Sequence, residues 1–192
     1  MTANAQLIEG VELGFDGFFS ASSDGGTFGI GPKFGFNFNE NIIAGPSFRY
    51  QQNWSQLNGS SYNHNIYGAG LFLHARYQNT LFGGLEFEMI KSRNYAENLL
   101  NDKIWVPTVF ICAGFSREFK GIVRLNVGLY YDVVNSKNSP FRNGYILPIK
   151  NAQTGQIQGY VPLIYRISFF FPLFKIVGEK PTIEDAVPEE TW

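Results

Sequence analysis

Cysteine and charge are both scarce in this sequence. Its 192 residues include one cysteine, Cys112, and two histidines, and a single cysteine excludes an intramolecular disulfide. Asp, Glu, Lys and Arg make up 16% of the chain and leave a net charge of −1, which offers no basic surface for nucleic acid. No apolar run approaches the roughly 18–20 residues of a transmembrane helix. These absences exclude a disulfide-stapled domain, a bundle of membrane-spanning helices and a nucleic-acid-binding module.

Motifs of known catalytic and ligand sites are missing as well. The sequence contains no metal-binding, phosphate-binding or catalytic-triad pattern. We interpret His74 as a hydrogen-bonded interior residue and His64 as part of an outer loop. We therefore expect no enzyme activity, no catalytic or metal-ligating residue and no cofactor.

What the sequence does contain is a strict alternation of apolar and polar residues. From Val123 to Val133 every second residue is apolar, and the positions between them hold Arg, Asn, Gly, Tyr and Asp. A period of two places the two sets on opposite faces of a β-strand. The alternation recurs in segments near or above the roughly 9–11 residues that a tilted strand needs to cross a bilayer, whereas soluble strands average roughly 5–6 residues. The segments are Leu7–Phe19, Thr27–Phe38, Ile42–Gln51, Asn65–Gln78, Leu81–Arg93, Lys103–Glu118, Ile122–Val134 and Gly159–Phe174.

The connections between these segments differ in length. Residues 39–41, 79–80 and 119–121 are tight turns, whereas the links around Ser22, Ser55, Asn98 and Asn143 are longer and polar. Outer-membrane barrels have short periplasmic turns and longer outer loops, and lipid tolerates no open sheet edge. We therefore predict an all-β fold, a closed antiparallel eight-stranded transmembrane β-barrel whose apolar face points outward.

Aromatic residues on the apolar faces cluster near both ends of the predicted strands. Such girdles mark the two interfaces of membrane barrels, although aromatic residues are also common in soluble strands. Near the long links lie Phe19, Phe28, Tyr50, Tyr67, Trp105 and Tyr131, and near the short turns lie Phe38, Tyr77, Phe115 and Phe171.

The polar faces must then fill the lumen, which in an eight-stranded barrel is just wide enough for side chains. An unpaired buried charge costs several kcal/mol. The predicted inward charges balance, five acids against five bases, with His74 beside them, so we expect a charge-paired, largely plugged lumen. This network comprises Glu12, Asp16, Lys33, Arg49, His74, Arg76, Glu86, Glu88, Arg124, Asp132 and Arg166.

Four prolines oppose this assignment because they fall inside predicted strands. A proline removes a ladder donor and is normally confined to edges, ends or bulges. Pro32 and Pro46 lie at similar depth on adjacent strands, which predicts a local weakness in the wall. Pro107 and Pro162 call for bulges or for different strand boundaries.

One domain accounts for most of the chain. We assign residues 1–5 to a leader or the remnant of an export signal, residues 6–174 to the barrel and residues 175–192 to an acidic periplasmic tail. Ala3-Asn4-Ala5 matches a small-x-small cleavage site, and an ordinary polar leader fits equally well. The tail breaks the alternation, which fits a disordered end.

Two segments outside the wall carry apolar side chains suited to binding. In the tail, Ile183, Val187 and Trp192 offer anchors for a periplasmic or outer-membrane protein partner. The longest outer link, residues 135–158, either binds something or forms a hairpin that extends its flanking strands. Its apolar candidates are Phe141, Tyr145, Ile146 and Ile149.

The last predicted strand ends in an aromatic-rich run, Arg166-Ile167-Ser168-Phe169-Phe170-Phe171-Pro172-Leu173-Phe174. With the eight amphipathic segments and tight turns, residues 6–174 resemble the small outer-membrane barrels of the OmpA and OmpX type. The Gly- and Phe-rich strands and the Asn4-Ala5-Gln6 point are similar to barrels of Bacteroidota, including the PorT group. The resemblance implies location in the outer membrane of a Gram-negative bacterium, in contact with its lipid and lipopolysaccharide.

Several roles remain open on this pattern. The first is a structural or accessory subunit of an outer-membrane assembly, and the second a surface-binding or adhesion barrel that acts through its outer loops. A narrow pore or a lipid-modifying barrel enzyme is the third. His64 and His74 are followed by Asn65 and Ala75 and lack the spacing to a nearby serine that such enzymes use.

Overall fold

The structure, a computed structural model, describes residues 8–22, 25–57, 60–94 and 103–175. Within these ranges there are ten strands and one short 3-10 helix, and no α-helix. The strands are β1 (Gly10–Ser22), β2 (Gly25–Asn37), β3 (Ile42–Leu57), β4 (Ser60–Tyr77), β5 (Leu81–Arg93), β6 (Lys103–Phe119), β7 (Val123–Asp132), β8 (Leu147–Lys150), β9 (Ile157–Val161) and β10 (Leu163–Lys175).

Eight of these strands form a closed antiparallel barrel. Strands β1 to β7 pair with their sequence neighbours, and β10 closes the ring by pairing with β7 on one side and β1 on the other. The remaining two, β8 and β9, form a separate hairpin. The prediction of an all-β, eight-stranded, closed antiparallel barrel is confirmed.

Successive residues of the barrel strands point alternately inward and outward. In β7, Arg124, Asn126 and Asp132 are buried, whereas Val127 and Leu129 are 41% and 48% exposed. The polar set therefore fills the interior and the apolar set forms the outer surface, the reverse of a soluble barrel. All ten residues predicted for the two aromatic girdles are exposed on that surface.

Tight turns join the strands at one end of the barrel. In the β4–β5 turn Gln78 and Asn79 have φ of 48° and 54°, and in the β6–β7 turn Lys120 and Gly121 have φ of 50° and 69°. Two successive residues with positive φ form the hairpin turn whose twist matches that of the flanking strands. In the β2–β3 turn, the Asn39 side chain accepts backbone hydrogen bonds from residues 41 and 42, both at 2.8 Å.

The connections at the opposite end are not uniformly long. The β5–β6 and β7–β8 links span residues 94–102 and 133–146, but only residues 23–24 separate β1 from β2 and only 58–59 separate β3 from β4. The prediction of longer links around Ser22 and Ser55 is therefore wrong. Ser22 pairs with Gly25 and Ser55 with Tyr62, because backbone pairing continues regardless of side-chain polarity. His64, expected in an outer loop, lies within β4 for the same reason.

Pro32 and Pro46 coincide with an interruption between β2 and β3. The pairing runs as far as Ile30 with Tyr50, is present again at Lys33 with Ser47, and resumes fully only at Phe36 with Ala44. We call this stretch the β2–β3 seam. Because neither proline has an N–H to donate, the seam lacks cross-strand bonds within an otherwise paired interface, at the position where the sequence predicts a weakness.

The other two prolines lie where little pairing is lost. Pro107 is in the part of β6 beyond its last pair with β7, Phe110 with Asp132. Pro162 separates β9 from β10, so the eighth barrel strand begins at Leu163 and not at the predicted Gly159. A further proline, Pro172, borders a bulge in the pairing of β10 with β1. Each position is one that proline tolerates.

Candidate functional site

Charged side chains meet at the centre of the lumen. Arg49 on β3 binds Asp16 on β1 through two parallel hydrogen bonds, Nη1 to Oδ1 at 2.9 Å and Nη2 to Oδ2 at 3.0 Å. Its Nη2 also donates to Glu88 Oε1 on β5 at 2.7 Å. A planar guanidinium suits this arrangement because its fixed fork of donors can bridge two carboxylates.

A second guanidinium and an ammonium complete the cluster. Arg166 Nη1, on β10, lies 2.8 Å from Glu86 Oε2 and 2.9 Å from Glu88 Oε1. Lys33 Nζ contacts Glu86 Oε1 and lies 3.2 Å from Asp16 Oδ2. We call Asp16, Glu86, Glu88, Lys33, Arg49 and Arg166 the central cluster.

The central cluster is balanced and enclosed. Its three carboxylates face three cations, and each of the six side chains is at most 1% exposed. His74 adds one contact, Nε2 to Glu86 Oε1 at 2.8 Å. Gly31 leaves the required space, since a Cβ there would lie 2.7 Å from Asp16 Oδ1 and 2.4 Å from the backbone oxygen of Phe48.

Towards the tight turns lie two further ion pairs. Arg76 binds Glu12 through two bonds of 2.8 and 2.7 Å, and Asn37 adds a third to the same carboxylate at 3.0 Å. Arg124 contacts Glu118 and donates to Asn79 at 2.7 Å. Glu118 was not among the predicted network residues, although continued alternation from Ser116 would have placed it on the inward face.

Aromatic rings inside the barrel surround the Arg166 guanidinium on the side that faces the 133–146 link. Its guanidinium carbon lies 4.4 Å from the ring centre of Phe110, 4.8 Å from Tyr130 and 5.2 Å from Phe141. Its Nε and Nη2 have no hydrogen-bond partner among the residues that the structure describes. The negative faces of the rings compensate part of that charge instead.

The outer link folds back into the mouth of the barrel. Its 3-10 helix, Pro140–Gly144, places Phe141 between Phe18 and Phe110, with ring centres 5.7 and 4.9 Å apart. The carbonyl of Pro140 accepts hydrogen bonds from Gln51 and Asn53 of β3 at 2.9 and 3.0 Å. The helix therefore covers the aromatic side of the central cluster.

Asp132 holds the 133–146 link in place by accepting three hydrogen bonds from it. Its Oδ1 accepts the Asn135 backbone N–H at 3.0 Å, and its Oδ2 accepts the hydroxyls of Ser139 at 3.0 Å and Tyr145 at 3.1 Å. Burial, together with the Asp132 carboxylate, raises the pKa of Tyr145, so its hydroxyl stays protonated and donates. Asp132 is thus placed in the lumen, as predicted, but its hydrogen bonds are to the link and not to a base.

The four apolar residues expected to serve the outer loop divide into two groups. Phe141 and Tyr145 are buried in the mouth, and Ile146 is partly buried. Phe141 and Tyr145 are therefore not available to a partner, because they pack against the aromatic side chains inside the barrel. Ile149 is exposed on β8, within the β8–β9 hairpin, where Leu147, Ile157 and Tyr160 are exposed beside it.

The remaining predicted site residues are placed as follows. All eleven network residues lie inside the barrel, and Cys112 is buried on the inward face of β6. Ile183, Val187 and Trp192 of the tail lie outside the described residues. Lys175, expected to begin the tail, is instead the last residue of β10 and pairs with Gly10.

The ion pairs of the central cluster hold different strands of the barrel together. Its side chains come from β1, β2, β3, β5 and β10, and the ion pairs of Glu86 and Glu88 join β5 to strands that are not its neighbours in the ring. Each of its carboxylates is held by at least two cations. Within the described part of the chain, no group of three or more His, Cys, Asp and Glu side chains is arranged to hold a metal ion.

Comparison with known proteins identifies no family and no relative of this chain. No helix among the described residues is long and apolar enough to cross a membrane. No protein-family model matches the chain, and a search of curated proteins finds no match to it.

Proposed function

We propose that this protein is a non-enzymatic β-barrel of a bacterial outer membrane, with a lumen closed by paired charges, that serves as a structural or accessory subunit of an outer-membrane assembly. The exposed apolar wall carries this proposal. A wall that turns Leu, Ile, Val and Phe outward around the whole ring while burying six ionised groups at its centre is costly in water. In a bilayer the same distribution is favourable.

The arrangement of the aromatic residues supports the same environment. Exposed Tyr67 and Trp105 lie towards the long links, and exposed Tyr77 and Phe115 lie towards the tight turns. Amphipathic rings prefer the two levels where hydrocarbon meets headgroups. The tight turns would then face the periplasm and the long links the outside.

A charge placed on the wall tests the membrane proposal. Leu129→Arg should destabilise the folded barrel by about 2–4 kcal/mol near the bilayer midplane and reduce folding into lipid vesicles, measured by resistance to denaturation on a gel. Ile157→Arg is the matched control, because Ile157 on the β8–β9 hairpin is 53% exposed, close to the 48% of Leu129. Equal folding of both variants, or wild-type protein that stays soluble and monomeric without lipid or detergent, would contradict the proposal.

The proposed accessory role depends on binding of a partner protein by the tail, residues 175–192. Its acidic side chains would attract a basic surface and its apolar residues, ending in Trp192, would slow dissociation. A chain ending at Lys175 should fold as the full chain does and lose any stoichiometric partner recovered by gentle detergent extraction of native membranes. If the shortened chain recovers the same proteins, the tail has no such role.

Surface binding through the β8–β9 hairpin is the second candidate function. Four apolar side chains on this hairpin are each about half exposed: Leu147, Ile149, Ile157 and Tyr160. Exposed apolar groups beyond the wall gain nothing from the bilayer interior, so a binding partner would explain them. Replacing Ile149 and Ile157 by Ser should abolish binding of the barrel to its partner surface while leaving folding unchanged; unaltered adhesion of labelled protein to cells would exclude this role.

A further inference from the structure

A groove with basic side chains at its edge lies on the outer wall. The groove is an open depression of about 530 Å³ lined by Phe48, Tyr67, Ala69, Met89 and Trp105, with Arg49 and Gly68 also at its surface. The groove spans β3 to β6.

The groove exists because small residues interrupt a row of large ones. Ala69 pairs with Phe48 on one side and Met89 on the other, so a methyl group sits between two long side chains. The depression is therefore a property of the packed wall, not of a mobile loop.

Two lysines stand over the aromatic walls of the groove. Lys91 Nζ lies 5.8 Å from the ring centre of Trp105, and Lys103 Nζ lies 5.8 Å from that of Tyr67. Lys103 also donates to the Asn65 carbonyl at 3.2 Å. The rings attract the ammonium groups and hold them at the groove edge.

The charge on this part of the wall has one sign. Among the outward-facing strand residues whose side chains the structure describes, the charged ones are Lys91, Arg93 and Lys103 near the groove and Arg117 towards the tight turns. All four are bases. An apolar groove beside basic groups, with no acid among those outward positions, favours a ligand that has a hydrocarbon chain and a negative headgroup.

The height of the lysines fits such a ligand. Lys91 is ten residues from Leu81, where β5 leaves the tight turn. At about 3.4 Å per residue and a strand tilt of about 35–45°, that distance corresponds to about 25 Å along the barrel axis, the height of the apolar band of outer-membrane barrels. The groove would then lie in the outer hydrocarbon layer and the ammonium groups at its headgroup level.

From these observations we infer that the groove is a binding site for one anionic lipid of the outer leaflet, with an acyl chain packed on Ala69 between Phe48 and Met89 and its headgroup phosphate bound by Lys91 and Lys103. This inference rests on the proposed membrane location. It adds a specific lipid site to a wall that would otherwise contact lipid without selectivity.

Lipid retention in nanodiscs tests the inference. Wild-type protein is reconstituted in phosphatidylcholine with a minor fraction of phosphatidylglycerol, and the lipids that remain bound are counted by native mass spectrometry. One phosphatidylglycerol should be retained in preference to phosphatidylcholine. The Lys91→Gln/Lys103→Gln variant should weaken retention by about 25-fold, since each lysine near an anionic lipid contributes roughly fivefold.

A second variant separates a groove from general attraction to anionic lipid. Ala69→Phe fills the depression, leaves both lysines in place and should abolish retention. The matched controls are Ala113→Phe, which enlarges an exposed outward residue elsewhere on β6, and Arg117→Gln, which removes a base at the other end. Neither control should alter retention.

Each outcome bears on the inference. Equal retention of the two lipids, unchanged retention in the lysine variant, or loss in the lysine variant but not in Ala69→Phe would overturn it. Displacement of the lipid by inorganic phosphate would also overturn it, because the site would then recognise the ion alone. A barrel that inserts into nanodiscs and shows no preference refutes only the lipid site, whereas a barrel that fails to insert refutes the membrane proposal as well.

Discussion

Arg166 is the residue whose contacts bind the interior together. Its Nη1 lies within 3.5 Å of the carboxylates of Asp16, Glu86 and Glu88. The ring of Phe110 packs against the same guanidinium and stabilises its charge further. Arg76, by contrast, serves one carboxylate nearer the end of the barrel. Removing a cation from a closed cluster leaves buried negative charge, which is more damaging than losing the attraction alone.

Substitution of these arginines should therefore have unequal effects. Arg166→Ala should lower the free energy of unfolding by about 3–5 kcal/mol, and Arg76→Ala should lower it by less because Glu12 is the more exposed partner. Urea unfolding of the barrel in vesicles, followed by tryptophan fluorescence, gives both values. Arg117→Ala on the outer surface is the control. Equal losses in the two interior variants would show that the central cluster is not cooperative.

At the level of single elements, the β2–β3 seam is a weak part of the wall. Both neighbouring interfaces, β1–β2 and β3–β4, are paired along their full lengths. Backbone groups with few cross-strand bonds open at low free energy. Local opening should accordingly begin here.

Hydrogen exchange tests the seam. Amides of residues 34 and 48 should exchange faster in micelles than those of residues 69, 71 and 73 in β4, as measured by NMR. Replacing Pro46 by Val restores one donor and should slow exchange at the seam without changing β4. Uniform protection across β2, β3 and β4 would be inconsistent with a weak seam.

The outer link is a second element whose attachment can be measured. Asp132→Ala removes the acceptor of three hydrogen bonds, which at about 1 kcal/mol each should raise the open population of the link by on the order of 100-fold. Cleavage by chymotrypsin near Phe141 should accelerate accordingly. Gln153→Ala, in the exposed hairpin turn, should not change it. Unaltered cleavage of Asp132→Ala would show that Phe141 alone holds the link.

For the whole molecule, two successive layers of described residues lie across the lumen. The 3-10 helix covers the mouth and the central cluster fills the middle. Purified barrel in a planar bilayer should show no large, steady single-channel current. Phe141→Ala should leave this unchanged because the cluster remains in place, and steady conductance of the wild-type protein would disprove a closed lumen.

The period of two in the sequence predicted the features that depend on one strand alone. The eleven residues that it placed in the network are buried, and the aromatic residues that it placed at the two girdles are exposed. It missed features that depend on neighbouring strands. Ala69 becomes the floor of a groove only because Phe48 and Met89 flank it, and their pairing is not encoded in any single segment.

The other wrong predictions concern the connections between strands, because their residues do not alternate between apolar and polar. Phe141 and Tyr145 are apolar residues in a polar stretch, a pattern that fits an exposed binding loop as well as a plug. The aromatic interior of Phe18, Phe110 and Tyr130 decides between the two, and that interior is assembled from three strands. Polar composition at Ser22 and Ser55 likewise hid the continuation of paired strands.

Ring closure between β1 and β10 also constrains how the chain reaches its folded state. Gly17 meets Ile167 across this junction, so the contact that completes the wall joins nearly opposite ends of the sequence. Contacts of such wide separation carry a large loop-closure cost and slow the search for the native state. Until Arg166 arrives on the final strand, Glu86 and Glu88 lack one of their cations. The apolar wall and the buried carboxylates are therefore completed together, in the single step that brings β10 against β1.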